Sequence, residues 1–198
     1  NVFLALFFLC CNLVVLVYFG LHYSKVEFWE GVCFVHFLPF SFLLGPLLFF
    51  YVKYSVSEHK VFRQIDTLHL LPAAFVVMVC WPFTSLPFDV KTKMAHEIVN
   101  ITEDYRLNFN WITFEEILYG RSIHLIIYSF SSVIYFFWNK KLLINKYGMI
   151  PSNHYVIKRW FFTLAFLQVL IASMSLGHMI TLYTKPFYFL GISSVELF

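Results

Sequence analysis

Residues Asn1–Ser24, NVFLALFFLCCNLVVLVYFGLHYS, contain no Asp, Glu, Lys or Arg. A helix rising about 1.5 Å per residue needs roughly 20 apolar residues to cross a ~30 Å hydrocarbon core. The run Leu13-Val14-Val15-Leu16-Val17 is apolar on both faces of any strand, which excludes the alternation of an outer-membrane barrel. Four more stretches without a charge follow: Gly31–Val52, Thr67–Phe88, Ser122–Asn139 and Trp160–Thr184. A sixth apolar run begins at Pro186. The pattern predicts an all-α, polytopic transmembrane helix bundle with five full spans and a truncated sixth.

Composition agrees. The chain has 198 residues, 60% hydrophobic and only 13% charged. A soluble domain carries about 25% charged residues, so these charges are too few to cover a soluble globule, and disorder is excluded too. A formal charge of +3 is too small and dispersed for nucleic-acid binding by this segment. The chain starts with Asn1 inside one apolar run and ends inside another, so it reads as a single-domain fragment, 1–198, without a cleavable signal pattern. Cys10, Cys11, Cys33 and Cys80 all lie in apolar runs and read as small buried hydrophobes.

Basic residues orient the spans. Lys53, Lys60 and Arg63 lie in the Val52–Asp66 loop, and Lys140, Lys141, Lys146, Lys158 and Arg159 in Asn139–Arg159. The opposite side has Lys25, Lys91, Lys93, Arg106, Arg121 and Lys185. Eight against six places the two basic loops and residue 1 in the cytoplasm. Helices about Val2–His22, Phe28–Tyr54, Asp66–Phe88, Glu116–Trp138 and Val156–Tyr183 then alternate outward and inward. The acidic segment 89–116 is an extracytoplasmic loop. Met94, Ile98 and Ile101 predict a short amphipathic helix there on the outer leaflet, with Trp111 and Phe114 at the interface. Asn100-Ile101-Thr102 forms a glycosylation sequon, which counts only on a eukaryotic secretory route.

Three local motifs occur in order: Leu44-Gly45-Pro46-Leu47-Leu48-Phe49-Phe50-Tyr51-Val52-Lys53, then Leu68-His69-Leu70-Leu71-Pro72, then Ile157-Lys158-Arg159-Trp160. Together they resemble the multi-span membrane domain of bacterial AraC-type transcriptional regulators common among Bacteroidetes. That resemblance implies a membrane-embedded sensor and transducer in the bacterial inner membrane, with residue 1 on the cytoplasmic side. It would couple an unidentified small-molecule or lipid signal to a cytoplasmic helix-turn-helix domain that is absent here. DNA would be contacted only through that missing C-terminal domain. The family's first span has no counterpart either. The resemblance further implies a homodimer, for which these residues mark no face.

The same residues have a physical reading. Gly45-Pro46 removes a backbone bond and admits close helix approach, so it predicts a kink or hinge. Pro72 costs least in a first turn. His69 is placed to bond freed carbonyls or the Tyr51 hydroxyl. Polar and small residues mark core faces: Cys11, Val15, Tyr18 and His22 on helix one, His124, Tyr128, Ser131 and Tyr135 on helix four, and Gln168, Ala172 and Ser175 on helix five. His36 and His124 lie roughly 12 Å below the outer ends of their helices, and His178 roughly 8 Å. With Glu30 and Arg121 they form a candidate outward-opening ligand pocket: Glu30, His36, Arg121, His124 and His178. The alternative is that each histidine only satisfies a neighbouring helix.

No catalytic grouping appears, no cofactor motif is evident, and no metal-ligand spacing occurs within a span. Mid-span carboxylates, which transporters usually carry, are lacking. The chain therefore reads as a non-enzyme. The reading from another class is a non-catalytic membrane scaffold or a haem/redox subunit of a larger complex.

Overall fold

The structure is a computed structural model that describes residues 2–23, 26–56, 62–100, 108–109, 112–147, 158–174 and 176–177; for 22, 98–100, 108–109 and 140–147 the backbone alone is described. It is predominantly helical: α1 (Val2–His22), α2 (Glu27–Cys33), α3 (Leu38–Ser41), α4 (Leu44–Val56), a 3-10 turn Gln64–Leu70 running into α5 (Leu71–Thr84), α6 (Phe88–Asn100), α7 (Phe114–Tyr147) and α8 (158–174). Strands Asn108–Phe109 and Ile112–Thr113 pair antiparallel just before α7.

Four segments are long and apolar enough to cross a membrane: Val2–Leu21, Leu38–Val56, Gln64–Thr84 and Phe114–Asn139. Only 11% of the Val2–Leu21 window is buried within the chain, against 61% for Leu38–Val56. Leu9, Val15, Leu16, Phe19, Met78, Trp81, Ile127 and Phe130 stay exposed. Apolar surface on that scale marks a lipid-facing or protein-facing exterior. The described part of α8 spans 17 residues. His178, the rest of the fifth predicted span and the run from Pro186 lie outside the described residues, as do Ile101, the sequon's Thr102, and Trp111.

Ring contacts give the directions. Phe3 of α1 meets Phe50 and Tyr54 of α4, while Gly20 meets Cys33, so α1 runs against the α2–α4 segment. Phe42 meets His124, and Phe49 meets both Tyr128 and Tyr135, so α4 and α7 run parallel. His69 meets Phe49 and Phe50, and Phe83 meets Phe34, so α5 runs back. Phe136 stacks on Phe161 at 4.9 Å, and Leu125 shares a core with Ala172, so α8 runs back along α7. Neighbouring spans therefore alternate in direction as the sequence predicts. One core joins α1, α4, α7 and α8 around Leu48, Val52, Leu125 and Phe161. A second joins the 34–42 turn, α5, α6 and the start of α7 around Phe34, Val76, Phe83 and Ala95.

Three expectations need correction. The second predicted helix is not continuous but breaks at residues 34–37 and again at 42–43. Pro39 has no N–H to give the Val35 carbonyl, and Leu38 N–H takes that oxygen instead at 3.0 Å. Further i→i−3 bonds, Phe42 to Pro39 and Leu43 to Phe40, carry the chain to Gly45-Pro46, where α4 begins. Proline thus tightens the path into 3-10 turns. The second correction concerns α7, which continues past the membrane-length segment to Tyr147. Lys140, Lys141 and Lys146 end a span without ending a helix, because Lys and Leu propagate helix well and Gly148 and Pro151 come later.

The third correction is the rotation of α1. Val15 is 67% exposed and Tyr18 57%, while Phe7 and Cys10 are buried with Phe3 and Val14 packed beside them. A helix apolar all round carries no polar face to fix its rotation: of the predicted face, Cys11 packs against the core while Val15 and Tyr18 point away from it, and the His22 side chain lies outside the described residues. Phe114, the predicted interfacial aromatic, is half-buried and stacks on Phe34 at 5.3 Å. Phe109 pairs with Ile112 and Asn108 with Thr113 just ahead of it, and α7 then starts with a capping box. Thr113 N–H donates to Glu116 Oε2 at 2.8 Å, and Glu116 N–H donates to Thr113 Oγ1 at 3.2 Å, satisfying two otherwise orphaned donors.

Candidate functional site

Buried polar groups in an apolar bundle need partners, and here they form three stations along its length. The first centres on Asp66, which is 1% exposed. Its carboxylate accepts from Lys53 Nζ and the Tyr54 hydroxyl on α4, and from Arg63 N–H at 3.0 Å. The last of these caps the 3-10 turn from within, so Asp66 fixes the turn that precedes Pro72 to the end of α4. Pro72 itself stands in the first turn of α5.

The middle station sits where α4 and α7 cross. A Cβ added at Gly45 would lie 2.9 Å from Tyr128 Cβ and 3.0 Å from its ring, so only glycine permits this approach. Tyr128 is thereby held against α4, and its hydroxyl hydrogen-bonds His69 Nδ1 at 2.7 Å. His69 also packs edge-on to Phe50. The partner of His69 is thus Tyr128, not Tyr51. Tyr51 instead lines a small crevice with Val52, Ser55, Val56, Phe136 and Phe161. His124, one turn before Tyr128, has its ring 4.6 Å from the tyrosine ring and 5.5 Å from Phe42. Both its nitrogens are buried without a hydrogen-bond partner. His124, Tyr128 and Tyr135 do line up along α4. The most buried line on α7 is the adjacent one, Ser122, Leu125, Ser129, Ser132 and Phe136. On α8 the predicted Gln168 and Ala172 are buried.

The third station, at the other end of the bundle from Asp66, docks α6 on α2. Gly31 lies so close to Thr92 that an added Cβ would meet its Oγ1 at 2.5 Å and its Cα at 3.0 Å. Glu30, 3% exposed, pairs with His96 Nδ1 at 2.7 Å. Lys91 Nζ donates to the Thr84 carbonyl at 3.1 Å and lies 3.4 Å from His36 Nε2. The hydrogen bond to Glu30 pushes His96 above the ordinary histidine pKa, with Glu27 and Glu97 adding in the same sense.

The described residues of the predicted pocket each have neighbours of their own. Glu30 is tied to His96, His36 lies against Lys91 and Phe83, and His124 lies against Phe42 and Tyr128. Arg121 is half-buried near the start of α7, and His178 lies outside the described residues. Among the described residues, no group of three or more His, Cys, Asp or Glu side chains is placed to hold a metal ion. Sequence reasoning missed Asp66, Lys53 and Tyr54 as a unit, and missed His96. The signal for the first was present, since an acid three residues past Arg63 and just before an apolar run is a helix-start pattern. His96 had none, because its partner lies 66 residues away.

Against known proteins, no family model, no curated protein and no solved structure matches this chain.

Proposed function

We propose that the chain is the membrane-embedded sensor and transducer domain of a one-component AraC-type transcriptional regulator. In this reading it lies in a bacterial inner membrane with residue 1 in the cytoplasm. Five spans and the start of a sixth deliver the chain back to the cytoplasm, where a helix-turn-helix domain contacts DNA. The signal is a small molecule, lipid state or proton acting on the outer side.

One observation favours transduction over passive packing: the parallel pair α4 and α7 is locked through Gly45 and Tyr128. Tyr128 bonds His69 in the 3-10 turn before α5, and His69 lies one turn from Asp66, which is tied back to α4 through Lys53. A shift of α7 relative to α4 is thus coupled by direct contacts to the inner connection. Transmission between distant sites requires an element with two arrangements, and these contacts join the parts that such an element would move together.

The intact gene tests the reading. A helix-turn-helix region in frame beyond Phe198 is expected, along with retardation of promoter DNA by the purified full-length protein. A frame that ends shortly after Phe198 would overturn it in favour of a scaffold or redox subunit. A haem absorption band in the purified protein would then select the redox subunit.

A further inference from the structure

Helix α6 is the polar element of the cap at the third station. It lies on α2 through Thr92 against Gly31, through buried Ala95, and through His96 on Glu30. The two ends of that ion pair differ. Glu30 is 3% exposed, whereas the His96 side chain is 47% exposed. A carboxylate withdrawn from solvent needs a compensating charge, and an imidazole supplies one only while protonated. Its open side leaves His96 free to exchange its proton with the solution.

We propose that His96 is a proton-binding site on the α6 side of the membrane, and that its bound proton clasps α6 to α2 through Glu30. The other charged groups around the pair reinforce the sign. Glu27 on α2 and Glu97 on α6 both favour the imidazolium. Lys91 on α6 is turned to the Thr84 carbonyl at the end of α5 and to His36 in the 34–37 turn. Asp89 and Lys93 on α6 complete the set on that helix. The folded state holds the His96 proton more tightly than the unfolded chain. The clasp is therefore complete below the ordinary histidine range and is lost as pH rises through the higher folded value. Acid closes the cap and alkali loosens it. The inference needs the α2–α6 geometry and not the regulator reading, so the two fail independently.

Hydrogen–deuterium exchange on the protein in lipid nanodiscs, corrected for the intrinsic pH dependence of exchange, reads the clasp directly. Between about pH 5.5 and about pH 8.5, protection of the amides of residues 88–97 should fall about two- to fivefold, the size expected of a half-exposed ion pair. Amides of α7 from Ile117 to Phe136 should not change and serve as the internal reference. His96→Lys keeps a fixed positive charge, so its profile should be flat. His96→Gln keeps a polar side chain without a charge, so its profile should be flat at the weaker, high-pH level. A flat wild-type profile, or a response of wild-type size in either variant, overturns the proposal.

Discussion

Asp66 and Glu30 are both carboxylates withdrawn from solvent, one toward each end of the bundle. Asp66 is held by a lysine, a tyrosine and a backbone N–H contributed by adjoining segments of chain. Glu30 is held by a half-exposed histidine from a helix 66 residues further on. The first arrangement holds its carboxylate through three donors from neighbouring segments, two of them uncharged. The second depends on a group that titrates near neutrality. Burial alone does not distinguish them. What distinguishes them is the chemistry of the partner, which makes the Asp66 tie a fixture and the Glu30 tie conditional.

The largest effect should come from removing the fixture. Asp66→Ala strips Lys53, Tyr54 and the Arg63 N–H of their shared acceptor and should cost about 2–4 kcal/mol. Reversible unfolding in mixed detergent measures it. A loss under about 0.5 kcal/mol would place Asp66 with ordinary surface charges and dissolve the contrast with Glu30.

Next come two glycines. Gly45→Ala forces a methyl group into Tyr128 and should destabilise by about 1–3 kcal/mol through overpacking. At Gly120 an added Cβ meets nothing within 4 Å. Gly120→Ala should therefore stabilise α7 by about 0.5–1 kcal/mol. Opposite signs in the same unfolding assay are the expected result, and equal signs would deny the close α4–α7 approach.

Tyr128→Phe removes only the hydroxyl that bonds His69 and should cost about 1 kcal/mol. The same substitution at Tyr51, in a His69→Phe background and in the parent, sharpens this. Coupling to His69 should appear for Tyr128 and be absent for Tyr51.

The smallest effect is the pH dependence of the Glu30 tie. Because Glu30 raises the His96 pKa, its contribution to stability is complete below about pH 6.5 and disappears as pH rises above that. In melting curves wild type should lose stability on the alkaline side relative to His96→Gln, and a wild-type curve parallel to that of the variant would remove the pair from the energetics.

The helical bundle was legible because an unbroken apolar run has one membrane solution, and the absence of charge alone located Val2–Leu21 and the Ser122–Asn139 part of Phe114–Asn139. Gly45 was legible too, since glycine beside proline within a helix has few structural uses. The rotation of α1 was not, because Phe7 and Val15 differ too little in polarity for the sequence to show which faces the core. The break at 34–37 was hidden for a related reason: Phe34, Val35 and Phe37 suit helix and turn equally, and only Pro39 hinted at it. The stations at Asp66 and Glu30 depend on pairing between segments. Asp66 lies 13 residues from Lys53 and carries a local start pattern, whereas Glu30 and His96 share no local pattern at all. The candidate pocket grouped histidines by depth, yet depth leaves rotation undetermined, and His36 and His124 turned to different neighbours.

Single-cysteine labelling in intact cells and inverted vesicles, in a background lacking the four native cysteines, tests the membrane bundle most directly. Arg63→Cys, before α5, and Glu97→Cys, on α6, are both at exposed positions. An impermeant maleimide should label Glu97→Cys from outside the cell and Arg63→Cys only in inverted vesicles. Labelling of both from the same side would contradict a bundle whose α5 crosses the bilayer.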